Sequence, residues 1–93
     1  MSDVMAGLRA RFVARCANDL TRLLALSAAG EMGGEEPRAL AHSLAGAGAT
    51  FGFPEVSTAA GRLDDVYVGG RIPSEAEVRA LIAALEAVAT PAS

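Results

Sequence analysis

The chain of 93 residues has no tryptophan and only one cysteine, one histidine and one tyrosine. The single cysteine, Cys16, excludes an internal disulfide and any multi-cysteine metal site. It falls on the apolar stripe of a first helix, where it reads as a buried structural thiol. Aromatics make up 4% of a chain that is 52% hydrophobic. A core must therefore be built from Leu, Val, Ile and many Ala, small side chains that let helices approach closely. Lysine is absent too: all eight basic residues are arginine, a bias of the kind a GC-rich genome imposes rather than one a mechanism requires. The formal charge is −3 and no basic cluster occurs, which argues against nucleic acid as a partner. The longest apolar run, Leu23 to Ala29, is far too short to cross a bilayer. Arg9, Arg11 and Arg15 interrupt the first stretch before it could read as a secretory leader. These absences lead us to expect a soluble, cytoplasmic monomer that contacts neither membrane nor nucleic acid.

What is present is helical periodicity. No alternating strand pattern appears, and helix formers are plentiful. A chain of this length can bury one core but not two, so a single domain over 1–93 is expected. Apolar residues at steps of three and four (Met5, Leu8, Phe12, Cys16, Leu20, Leu23, Leu24) predict a long first helix over about 3–28. Gly30 and Gly33-Gly34 end it. Glu35-Glu36-Pro37 opens a second helix over about 37–51, proline and acids both suiting a first turn. Pro54 starts a third over about 54–68, with Val56, Ala59, Ala60, Leu63, Val66 and Tyr67 at helical spacing. Ser74-Glu75-Ala76-Glu77 is a capping-box pattern for a fourth over about 75–89, whose stripe runs out before Thr90-Pro91. Short connections favour antiparallel neighbours, hence an all-α, up-down four-helix bundle.

The lone histidine, His42, lies on the second helix. At 100° per residue, Leu40, Leu44, Ala47 and Phe51 form an apolar stripe, and His42 points roughly 170° from its centre. Arg38, Ala39, Ala45, Gly46 and Ala49 flank it on the outer face, and four of the five are very small. Such a clearing lets a large partner reach the imidazole. Imidazole titrates near pH 6.5 in water, so at neutral pH it offers a nucleophilic nitrogen. Gly46, roughly 40° from His42, faces away from the stripe and reads as clearance for that approach.

The stretch His42-Ser43-Leu44-Ala45-Gly46-Ala47-Gly48-Ala49-Thr50-Phe51-Gly52 resembles the signature of histidine-containing phosphotransfer (Hpt) domains, which serve bacterial two-component phosphorelays. His42, Leu44, Gly46, Gly48, Phe51 and Gly52 carry the match. The helix order around them extends the resemblance over most of the chain. The resemblance implies that His42 is the phosphoryl acceptor, and that a receiver domain or a hybrid histidine kinase docks on Arg38, Ala39, Ala45, Gly46 and Ala49. It implies a polar residue late in the next helix that orients the ring, the position Asp64 occupies, although Asp64 reads equally as a plain surface acid. It also implies that this chain binds no metal or cofactor of its own, the Mg²⁺ being supplied by the receiver. One departure stands out. The lysine that usually follows the histidine by three residues is Ala45 here, and Arg38, one turn earlier, is the natural substitute, although Arg38 reads equally as an ordinary solvated arginine near a helix start, paired with Glu35.

Three functions fit these residues. The first is a phosphocarrier working through His42. The second is an adaptor of the same shape that docks a receiver or kinase without transferring phosphate, which the missing lysine favours. The third is a generic helical interaction domain in which His42 is incidental. A self-contained enzyme is disfavoured, since no ATP-binding loop, acid-base pair or metal constellation occurs.

Overall fold

The computed structural model describes residues 3–89. Among the described residues there are four helices: α1 (Val4–Ala28), α2 (Glu35–Phe51), α3 (Pro54–Val68) and α4 (Glu75–Ala89). The described residues contain no strand. Local chemistry accounts for the helix ends. The Asp3 carboxylate accepts the Ala6 N–H at 3.0 Å and caps α1. Ser74 and Glu77 form the capping box: each backbone N–H donates to the other's side chain, at 2.8 and 3.2 Å. At the end of α2, Gly52 turns left-handed at φ 81° and its N–H donates back to the Gly48 carbonyl, a conformation glycine adopts without penalty. The α2 helix starts at Glu35 rather than Pro37. Gly34 before it is extended, so both glutamates join the positive end of the helix dipole. The Thr90-Pro91 stop lies outside the described residues.

The helices form a ring in which α2 packs on α1 and α3, and α4 closes against α3 and α1. Arg15 reaches Ser43 and Arg22 reaches Glu36, so α1 and α2 run in opposite directions. Ser57 against Ala45 and Asp64 beside His42 show the same for α2 and α3. One core cluster draws on all four helices, with Cys16, Leu23, Leu44, Leu63, Leu81 and Leu85 among its most buried members. Aromatics supplement it at one end, where Phe12 lies 5.5 Å from Phe51 and 5.1 Å from Phe53, ring centre to ring centre.

Two stripes differ from expectation. On α1 the buried side is Phe12, Cys16, Leu23 and Leu26, while Met5 and Leu24 are exposed. At 25 residues α1 is longer than the 15- to 17-residue helices around it, so its first turn has nothing to pack on. On α2 the buried set is Pro37, Ala41, Leu44 and Gly48, and Leu40, Ala47 and Phe51 are only half-buried. The buried face is thus rotated by roughly 60° from the expected stripe, toward α3. That rotation shapes the site.

Candidate functional site

His42 projects from the middle of α2, and its side chain is 79% exposed. Arg38, Ala39, Gly46 and Ala49 surround it on the exposed face. A Cβ added at Gly46 would meet nothing within 4 Å, so the space beside the imidazole is open and Gly46 serves no packing contact. Ala45 does not belong to that open face. It is half-buried and packs against the core cluster, and its carbonyl accepts the Ser57 hydroxyl at 2.8 Å. The rotated packing of α2 brings α3 against position 45, where the resemblance leads one to expect a lysine.

The glycine that brings α2 and α3 together is Gly48. A Cβ there would lie 2.8 Å from the Ser57 backbone nitrogen and 3.2 Å from the Phe53 carbonyl oxygen. Two glycines two residues apart therefore have opposite settings, one facing solvent and one pressed on backbone. This close approach sets the distance across which α3 delivers Asp64 to the imidazole. Both Asp64 carboxylate oxygens lie 3.3 Å from His42 Nδ1. The Asp64 side chain is only 24% exposed, so the carboxylate is held beside the ring more firmly than a solvated surface acid would be. Where Nδ1 carries the proton and donates it to Asp64, Nε2 keeps its lone pair, and the described residues offer Nε2 no hydrogen-bond partner.

An open groove of about 490 Å³ runs past the imidazole, lined by Glu35, Arg38, Ala39, His42, Asp64 and Val68. Arg38 is exposed and makes no ion pair or side-chain hydrogen bond among the described residues, including none with Glu35. Val68 is 72% exposed, one turn beyond Asp64 on α3. Tyr67 next to it is buried and its hydroxyl donates to the Met32 carbonyl at 2.6 Å. Burial pushes the phenol's pKa up, and the bond ties the loop ahead of α2 to α3. Across the helix from Asp64, Arg15 donates to Ser43 Oγ at 2.6 Å while also pairing with Asp19.

Sequence reasoning missed the closeness of Gly48, the Ser57 bond, the Arg15–Ser43 bridge and the exposed Val68. Only Gly48 had a sequence signal, as the second glycine of the motif. Cys16 is fully buried, and that burial, with Asp19 adding to it, pushes its thiol up to about 11, which makes it unreactive. Among the described residues no group of three or more His, Cys, Asp and Glu is placed to hold a metal ion, and no helix is long and apolar enough to cross a membrane.

Fold and site together define a four-helix bundle that presents one carboxylate-backed imidazole to solvent. The family model of the Hpt domain matches residues 7–90, and the chain belongs to that family. A search of curated proteins and a search of solved structures each return no match. Domains of this family take part in histidine phosphotransfer in phosphorelays, where they interact with receiver domains and histidine kinases.

Proposed function

We propose that this domain relays a phosphoryl group through Nε2 of His42, to or from the aspartate of a receiver domain, within the cytoplasm. The observation that carries the reading is the pairing of an exposed ring with a carboxylate on its Nδ1. That contact fixes the tautomer in which Nε2 is nucleophilic. Phosphoryl transfer then needs Nε2, phosphorus and the receiver's carboxylate oxygen in line, and the open space at Gly46 admits the receiver. Receiver docking would cover Arg38, Ala39, Gly46 and Ala49, with Ala45 at the margin. The Mg²⁺ and its acidic ligands belong to the receiver in this scheme. Arg38 is the only cation of α2 and meets the phosphoryl charge that a lysine at position 45 would otherwise offset.

The test is incubation with phosphorylated receivers from the same organism. The expected product is phosphate on this chain that is acid-labile and base-stable, as a phosphoramidate is. Tight binding of a receiver or kinase without any transfer would instead identify a docking adaptor, the reading that alanine at position 45 favours.

A further inference from the structure

We infer that Asp64 keeps a proton on Nδ1 of the phosphorylated His42 ring, so that the phosphoryl group leaves from a cationic phosphoimidazolium. The inference rests on the carrier reading and adds what sets the reactivity of the phosphorylated form. When Nε2 of a ring carrying a proton on Nδ1 attacks phosphorus, the N–P bond forms as the donor's O–P bond breaks and its electron pair returns to the donor carboxylate, and the ring becomes a cation. On release the N–P bond breaks, its electron pair returns to Nε2, and phosphorus goes to a carboxylate oxygen of the acceptor. The Nδ1 proton never leaves, and the departing group is neutral imidazole. Without that proton the departing group would be imidazolate, a far poorer one. A carboxylate on Nδ1 that offsets ring charge while the base turns over is the arrangement of the Ser-His-Asp triad.

The geometry suits this task. Both Asp64 oxygens are equidistant from Nδ1 at 3.3 Å, and the side chain is largely covered. An opposite charge at that distance favours the charged form of its partner. The other charged groups near the ring are Arg38 and Glu35 on α2 and Arg15 of α1, held on Ser43 next to His42. Arg71, after α3, lines the adjoining crevice with Glu35 and Arg38. The α4 helix does not pack on α2 and contributes none. All of these stay the same when Asp64 alone is changed, as does the phosphoryl charge itself. Asp64→Asn keeps an oxygen that can accept the Nδ1–H and removes only the charge, which separates electrostatics from orientation.

The experiment phosphorylates the protein with potassium phosphoramidate, a donor that needs no partner. It then follows the ring nitrogens by ¹⁵N NMR and phosphate release between pH 6 and 10. The wild-type ring should remain protonated to higher pH than free Nε2-phosphohistidine does. Near pH 9 its release should be about five- to tenfold faster than in Asp64→Asn, the gap closing toward pH 6 where both rings are protonated. A wild-type ring that loses its proton as free phosphohistidine does, or equal release in the two proteins across the range, would overturn the inference. Receivers that fail to load His42 would count against the carrier reading alone, since phosphoramidate loading proceeds without them.

Discussion

At the scale of single residues, the proposed relay rests on His42, Asp64, Arg38 and Gly46, and it asks a different property of each. In that proposal His42 would supply the nucleophile, Asp64 a charge on its far nitrogen, Arg38 a cation and Gly46 space. A phosphoryl group brings roughly −1.5 to −2 charges to the site, and nothing at Ala45 can meet them. Arg38→Ala should therefore slow transfer from a phosphorylated receiver several-fold, read in a time course of label exchange. Adding Ala45→Lys should restore part of the loss. The half-buried Ala45 does not preclude this, because a lysine stem can run along apolar surface and put its ammonium in water. Transfer at the parental rate in Arg38→Ala would show that the receiver's own groups meet the charge. Gly46→Gln should leave stability unchanged or raise it, since glycine costs a helix about 0.5–1 kcal/mol relative to alanine. It should nonetheless slow transfer by crowding the imidazole, and unchanged transfer would remove the clearance role.

At the scale of elements, the contact between α2 and α3 decides where the site's parts fall. Gly48→Ala should cost about 1–3 kcal/mol, because the new methyl meets α3 backbone that cannot swing away. Chemical denaturation of Gly48→Ala beside Gly46→Ala would show opposite signs two residues apart. The α4 cap makes a pH prediction. Ser74 holds the Glu77 carboxyl below its ordinary 4.5, through its backbone N–H first and then its hydroxyl. A carboxyl lowered in the folded state contributes stability above its unfolded value and loses it as pH falls through the folded one. Glu77→Gln should thus melt at a lower temperature than wild type near neutrality, and the two melting temperatures should converge as the solution is acidified below the carboxylate range. The helix boundaries were legible because glycine, proline and the Ser74–Glu77 box mark them locally. The face α2 buries was less so. Leu40, Ala47 and Phe51 look as apolar as Ala41 and Gly48, and only the backbone approach at Ser57 decides between them. For the same reason Ala45 read as an open-face residue when it borders the core.

At the scale of the molecule, four helices around one core cluster carry a single exposed ring. Its four helices and the position of His42 could be read from the sequence, as could Asp64 as a candidate neighbour through the family resemblance. The Arg15–Ser43 bridge could not, since 28 positions separate the partners and neither carries a local signal. The groove is legible only once α2 and α3 are packed, because Val68 joins it from a separate helix. The central claim is that the whole chain transfers phosphate through one atom. His42→Gln tests it most directly, since the position faces solvent and the substitution should leave the helical fold intact by circular dichroism. With a phosphorylated receiver as donor, wild type should take up label that maps to His42 in peptides kept at neutral to alkaline pH, and His42→Gln should take up none. Label retained by a folded His42→Gln protein would contradict the account.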